Sequence, residues 1–296
     1  MITPSHQRVI AGTPASVSWQ QIDGLGEPAD PGVVTVTISR ADGTVIAAAT
    51  ATTGVGTAAR TVTLTAAQTA TLDRLTATWV AAGVTVATTE IDVVAAPWFA
   101  NAELRAVEAS VASEAAYPAA KVALARLQVE AFFERCTGRR FSPGYTFQTV
   151  PGTGTADLFL PHPDLRRVRS AVLYDDLAGV AVETLAAGEL AAFPPSPVGR
   201  LTRWGSTWSS RWVRVGWEWG LPAPPPDVRR QAMRLCRELL VNEPKGAVPD
   251  NAVNWSSTEL GWSAVLVTPG VRGAHTRLPS VNECIDAWTY NEIGIA

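Results

Sequence analysis

Residues 1–96 alternate between apolar and polar positions in short runs, with no long helical pattern. Val34-Thr35-Val36-Thr37-Ile38 is a period-2 strand, and Asp42-Gly43 reads as a tight turn into Val45-Ile46. Similar runs lie at Val17–Gln20, Thr61–Thr65, Leu75–Trp79 and Val84–Val94. Roughly seven short strands, with turns every ~8–12 residues, predict a β-sandwich of immunoglobulin-like type. No cysteine pair lies in this stretch, so Trp19 and Trp79 are the expected core aromatics between the sheets.

The pattern changes at Ala95-Ala96-Pro97. Asn101 is placed to cap a helix with apolar positions Leu104, Val107 and Val111. Pro118 opens a second helix, whose stripe is Val122, Ala125, Val129, Phe132, Phe133 and Cys136. Leu124 and Leu127 widen that stripe and predict cover on more than one side. Gly138 is a natural helix terminator, followed by Arg139 and Arg140 at the negative end of the helix dipole.

Strand patterning returns from Tyr145 to Gly220. Val168, Ser170, Val172 and Tyr174 are expected on one strand face, and Asp175-Asp176 with Gly179 reads as a turn. Arg200–Trp204 and Trp212–Trp217 predict a tryptophan-rich hairpin. Asp227 then caps a helix with stripe Val228, Ala232, Leu235 and Leu239. An arm follows from Asn242 to Ser280, carrying Trp255, Trp262, Val265, Leu266 and Val267, which a free tail should not show to water. Val281, Ile285 and Trp288 repeat at i, i+4, i+7 and predict a short closing helix, opposite Asn282, Glu283 and Asp286. A helix this short needs a surface to dock on. The expected class is α+β and multidomain, divided at 1–96, 97–243 and 244–296.

The chain of 296 residues has 47% hydrophobic and 17% charged side chains. With a charged share below the usual ~25%, the chain must either cover itself with Ala, Thr, Ser and Gly or hide surface in a partner, and the second reading is favoured. A net charge of −3 gives no overall basic footprint for nucleic acid. Arg230, Arg234 and Arg237 form one local basic face, read either as a solvated face or as candidate DNA-channel contacts. Cys136, Cys236 and Cys284 are too few and too scattered for a disulfide frame or a zinc site, and imply reduced thiols made in a cytoplasm. The first residues lack the charge and apolar run of a signal peptide, and no apolar run approaches the ~20 residues of a membrane span.

No reaction is predicted. His6, His162 and His275 are scattered, and His162-Pro163-Asp164 reads as a surface turn. Neither Gly-x-Ser-x-Gly, nor a phosphate loop, nor His-Glu-x-x-His occurs. Gly152-Thr153-Gly154 does not complete a dinucleotide fingerprint and reads as a loop. No metal and no cofactor are expected. Trp204, Trp208, Trp212, Trp217 and Trp219 crowd one stretch and admit three readings: a sugar platform, a subunit interface, or a core.

Two units stand in a telling order. A helix ends in Phe132-Phe133-Glu134-Arg135-Cys136-Thr137-Gly138-Arg139-Arg140-Phe141. A strand-rich insert then closes with Val213-Arg-Val-Gly-Trp217, Gly220 and Pro222, and another helix begins. Over residues 98–290 the chain resembles the head–tail connector (adaptor) proteins of long-tailed bacteriophages. That resemblance implies a structural virion protein of the neck, made in the host cytoplasm. It implies a ring, dodecameric in the family, beneath the portal, extending the DNA channel and presenting a docking surface to the tail. It also implies a portal ring, further copies of the chain and a tail-side neck protein as partners, with double-stranded DNA passing through. The family's portal-embracing C-terminal segment corresponds to Gly273–Tyr290. Trp262, Val281, Ile285, Trp288 and Tyr290 become candidate contacts to the portal or a neighbouring subunit, and Phe132, Phe133, Trp212, Trp217 and Trp219 candidate packing residues. The N-terminal β region is a departure from compact connectors. Alternatives are a neck stopper or tail-completion protein and, from another class, a carbohydrate-binding β module.

Overall fold

The structure, a computed structural model, describes residues 5–25, 27–56, 58–175, 180–209, 211–241, 254–257, 262–265 and 275–290. Strands β1 (Ser5–Ile10), β2 (Ala15–Gln20), β3 (Val34–Arg40), β4 (Val45–Ala51), β5 (Thr53–Val55), β6 (Ala59–Leu64), β7 (Asp73–Ala81) and β8 (Val84–Val94) come first. Helices α1 (Asn101–Val107) and α2 (Ala119–Thr137) follow, with a 3₁₀ turn at Ala109–Val111 between them. Then come β9 (Gly144–Pro151), β10 (Asp157–Phe159), β11 (Leu165–Tyr174), β12 (Ala181–Thr184), α3 (Ala187–Ala191), β13 (Arg200–Thr202) and β14 (Trp212–Trp219). The chain continues through α4 (Pro226–Val241), β15 (Asn254–Ser257), β16 (Trp262–Val265) and α5 (Pro279–Trp288). This is a mixed α+β fold in two compact units: Met1–Pro97 with Ser142–Pro222, and Trp98–Phe141 with Ala223–Ala296.

In the β unit, one sheet has the order β1-β8-β7-β3-β4 and another β2-β6-β5. The alternation in β3 holds, with Val34, Val36 and Ile38 buried. They meet Leu75, Trp79, Ile91, Val17 and Leu64 in one core. Trp19 stacks on Trp79 with ring centres 5.9 Å apart, and the Trp79 indole donates to Thr89 Oγ1 at 3.0 Å. Gly43 turns β3 into β4 at φ 90°, a conformation that costs glycine little.

The same unit holds a four-stranded sheet, β12-β11-β14-β9, and the pair β10-β13. Two sequence expectations change here. The predicted hairpin does not form, because β13 pairs with β10 while β14 pairs with β11 and β9. The intervening loop is pinned elsewhere: Arg203 N–H donates to Ala156 O and Trp208 N–H to Thr155 O, each at 2.8 Å. In β11 the register shifts between Val168 and Ser170. That bulge inverts the alternation, so Val168 shares the core with Ala171 and Leu173, not with Ser170, Val172 and Tyr174.

The helical unit is built around aromatic edges. Trp98 meets Phe141 at 5.2 Å and Phe133 at 5.9 Å, both edge to face. Glu130, fully buried, accepts the Trp98 backbone N–H at 2.9 Å, and Arg126 Nη1 donates to Phe99 O at 3.0 Å. Gly138, left-handed at φ 65°, ends α2 as its sequence position predicts. Asn101 does not cap α1 but is its first residue; its amide donates to Ala119 O and its carbonyl accepts from Arg126. The expected helix through Val111 breaks into α1 and the 3₁₀ turn. Asp227 lies one residue inside α4, near the positive end of the helix dipole.

Candidate interaction surface

α2 and α4 pack on each other, and α5 packs on both. Their buried stripes are Val122, Ala125, Val129 and Phe133 on α2, and Val228, Ala232, Leu235, Cys236 and Leu240 on α4. Successive residues on a helix diverge by about 100°, so Phe132 cannot share the direction of Phe133. Phe133 is fully buried, while Phe132 is half-buried with the Arg135 guanidinium 5.7 Å over its ring. On α4, Leu239 stays 42% exposed where its spacing predicted core. On α2, Leu124 is exposed and widens no buried stripe.

Beside the core stripes lies a groove of about 830 Å³, lined by stripe residues Val129 and Leu235 together with positions off the stripes. Phe132 and Arg135 form one wall, Leu235, Glu238 and Leu239 the other, and residues 275–278 close the end. The groove itself was not predicted from sequence. Its only signal is the apolar character of Phe132 and Leu239 beyond what one helix face can bury.

α5 finds its docking surface in its own chain. Val281 and Ile285 are fully buried in this unit, so these candidate partner contacts face inward. The i, i+4 repeat fits a face on α2 and α4 as well as it would fit a partner. Trp288 is half-buried, packs edge to face on Phe141 at 5.8 Å and donates its indole N–H to Asp227 at 2.8 Å. Tyr290 N–H donates to Thr137 O at 2.7 Å, and the Arg139 guanidinium lies 5.9 Å from both the Trp288 and Tyr290 rings. Trp255 and Trp262 occupy β15 and β16 by backbone only; their side chains, with Leu266, Val267 and Gly273, lie outside the described residues, as does most of the arm 242–274.

The basic face of α4 divides. Arg230 and Arg234 point outward, and Arg234 donates to Ser280 Oγ at 3.0 Å. Arg237 is half-buried beside Glu108 at 3.8 Å and Glu238 at 3.3 Å.

The tryptophan cluster of the β unit divides too. Trp208 and Trp217 are fully buried, and Trp212 and Trp219 are half-buried. Trp217 and Trp219 share a side as predicted, and His162 stacks on Trp219 at 4.0 Å. Trp219 donates to Thr146 Oγ1 at 2.9 Å. Of the five, Trp204 alone is open, at 88% exposure.

Ion pairs and burial set the state of two titratable groups in this unit. Burial opposes the charge on Glu218, yet hydrogen bonds and charge from Arg169, then Arg167, hold its carboxyl below the usual range. Arg169 also donates to Leu72 O at 2.6 Å and lies 4.6 Å over the Tyr145 ring. Burial first, and the Asp73 charge next, push the Tyr145 phenol up to about 12. His162-Pro163-Asp164 is a turn in which Asp164 has φ 56° and its backbone carbonyl accepts from Gly220. Gly152-Thr153-Gly154 is a loop, with Thr153 donating to Asp157 O. Of the Asp175-Asp176 turn, Asp176 and Gly179 lie outside the described residues. Among the described residues no three His, Cys, Asp or Glu side chains group closely enough to hold a metal ion, and no helix is long and apolar enough to cross a membrane.

No protein-family model matches the chain, and no curated protein matches it. Among solved structures, one described as "Neck of empty GTA particle computed with C6 symmetry" is similar at 16% identity and a TM-score of 0.39. It covers 59% of this chain and 81% of that one. A likeness at that level assigns neither fold nor function.

Proposed function

We propose that this chain is a structural protein of a phage-like neck: a head-to-tail adaptor that assembles as a ring beneath the portal, carries the DNA channel onward and offers the tail its docking surface. It performs no reaction of its own. The observation that carries this reading is how the motif residues serve the helical unit. Gly138 stops α2, and Phe141 turns back onto Trp98 and Trp288. The strand-rich segment then leaves and returns at Gly220 and Pro222, and α4 packs on α2. The Thr-Gly-Arg turn and the Val-x-Val-aromatic strand thus mark the two points where an insert joins one bundle, the order in which connectors use them. The low charged share and the open groove support a chain that hides surface in an assembly. The distant neck likeness adds no weight.

In this reading the partners are the portal ring, other copies of the chain and a tail-side neck protein, and the protein resides in the virion after synthesis in the host cytoplasm. Arg230 and Arg234 are the exposed arginines of α4 offered to passing DNA, with one Arg234 nitrogen donating to Ser280 Oγ. Sugars stack on open rings, and a carbohydrate platform is the weaker reading because Trp208 and Trp217 are closed in a core and Trp204 is the one widely exposed ring of the five.

Electron microscopy of the purified chain, and of necks labelled on it, tests the proposal. Closed rings that bind the portal are expected. Rings that bind only the tail side of a preassembled neck would make it a stopper. A chain that stays monomeric at high concentration and joins no neck would overturn the reading.

A further inference from the structure

The connection between β2 and β3 projects a short prong from the β unit. Ile22 bridges to Pro28, Ala29 N–H donates to Gln21 O at 3.1 Å, and Asp23 N–H donates to Glu27 O at 2.8 Å. Asp23 Oδ1 accepts from the backbone N–H groups of Leu25 and Glu27 at 2.8 and 2.9 Å. These bonds fix the shape of the prong in the free chain. The side chains it presents are nevertheless apolar and open: Leu25 is 89% exposed and Ile22 60%. One exposed leucine is ordinary, but two large aliphatics held together on a braced turn mark a contact surface. The exposed acids Asp23 and Glu27 stand beside them. The groove of the helical unit has the opposite character. Its walls hold Phe132, Leu235 and Leu239, and its charged lining is Arg135 and Arg277 against Glu238. Glu238 already shares its charge with Arg237 at 3.3 Å, and His275 lies 3.5 Å from Asp286. The prong is apolar with an acidic collar, and the groove is apolar with a basic rim.

We infer that the prong of one copy seats Leu25 and Ile22 in the groove of the next copy, with Glu27 meeting Arg135. This rests on the reading of the chain as a ring and supplies a contact for it. Apolar tip meets apolar walls, and acid meets base at the rim. The signs also choose the mode of assembly. Prong against prong sets acid on acid, and groove against groove sets base on base, so a twofold contact through either is disfavoured. Prong into groove is a heterologous contact, in which each copy offers both surfaces. Such contacts generate rings when the rotation between copies closes. The prong is braced before it binds, so it gives up little freedom on seating. The N-terminal β region thereby gains a role: it ties one copy to the helical unit of its neighbour.

The test is sedimentation of the full chain over a range of concentrations, with hydrogen exchange read at residues 128–135 and 235–239 of the groove. Leu25→Asp alters an open side chain and should leave the melting temperature unchanged. It is expected to weaken association about tenfold or more. Glu27→Arg should weaken it about two- to fivefold, as loss of an exposed pair does. Glu27→Arg combined with Arg135→Glu in one chain should recover that loss, because every copy carries both partners. Groove exchange should slow as the unaltered chain assembles and stay fast in Leu25→Asp. Oligomers that form equally well in Leu25→Asp overturn the inference and leave the ring reading standing. Groove protection that does not depend on concentration also overturns it, and places the cover within one chain. An unaltered chain that forms no oligomer at any concentration and joins no neck overturns the ring reading, and the inference with it.

Discussion

Trp208 and Trp217 lie wholly inside the β unit, whereas Phe132 and Leu239 sit on the walls of an open groove in the helical unit. The contrast follows from geometry. The core side of the β11–β14–β9 sheet is covered by β10, β13 and α3, so large aromatics placed there are enclosed. Trp208 shows how fully: Phe193 stacks on it at 6.0 Å, Arg203 lies over its ring, and its indole donates to Leu201 O. A helix in a three-helix contact buries two stripes and leaves a third. Apolar residues on that third stripe stay partly open: Leu239 is 42% exposed, and Phe132 meets Phe133 edge to face at 6.4 Å yet remains half-buried. A dense aromatic stretch thus marks a core here, and a sparse pair of off-stripe residues marks a surface.

Trp217→Ala breaks that comparison most directly. Emptying a fully enclosed site should cost roughly 3–5 kcal/mol in denaturant unfolding. Leu239→Ala should cost under about 1 kcal/mol, since little of its cover is removed. Comparable losses would mean that the groove is core and that the two regions do not differ.

Glu130 tests whether the helical unit relies on polar anchors as the β unit relies on aromatics. Its carboxylate is enclosed beside Arg126, at 3.7 Å, and holds the Trp98 N–H. Glu130→Ala leaves a buried guanidinium without its partner charge and should cost about 3 kcal/mol. Glu130→Gln keeps an acceptor for Trp98 and should cost less. Equal losses from the two variants would assign the effect to volume alone.

How far the sequence shows this arrangement depends on the range of the interaction. The strands of β3 and β7, the stop at Gly138 and most of the α2 and α4 stripes are local patterns, and they appear where expected. The pairing of β13 with β10 is set by a loop anchored on Ala156 and Thr155, which nothing in the spacing of Arg200–Trp204 discloses. The bulge in β11 is equally silent, since Val-Arg-Ser-Ala-Val reads as ordinary alternation. For α5 the repeat identified an amphipathic helix but not whose surface it meets. The groove is a remainder: it consists of what two helices do not cover, so it is visible only once both stripes are fixed.

Gly216 sharpens the picture of the β unit. A Cβ there would fall against the Tyr145 hydroxyl, 2.7 Å from Ser170 Oγ and 3.1 Å from Phe147. Gly216→Ala should cost about 1–3 kcal/mol by overpacking. Thermal melts of Gly216→Ala combined with Ser170→Ala or Tyr145→Phe should recover part of the loss. No recovery would place the cost in the strand backbone.

Alkaline pH should separate the two units with the smallest effect. Burial pushes the Cys236 thiol of the helical unit up to about 12 and that of Cys284 to about 11, from an ordinary 9.0. Unfolded chains release these protons near pH 9 while the folded unit retains them, so the unfolded state gains and stability falls as pH rises through 9 towards 11 and 12. For the fully enclosed Cys236 the loss by pH 10 is on the order of 1 kcal/mol. Tyr145 in the β unit follows the same sign from its ordinary 10.0 towards about 12, one unit later. Hydrogen exchange between pH 8 and 11, corrected for intrinsic rates, should therefore show α2, α4 and α5 losing protection before β9, β11 and β14. Cys236→Ala should delay the helical loss without moving that of the sheet. Simultaneous loss in both units, unaltered by Cys236→Ala, would show that the thiols do not set the alkaline limit and that the two units unfold as one.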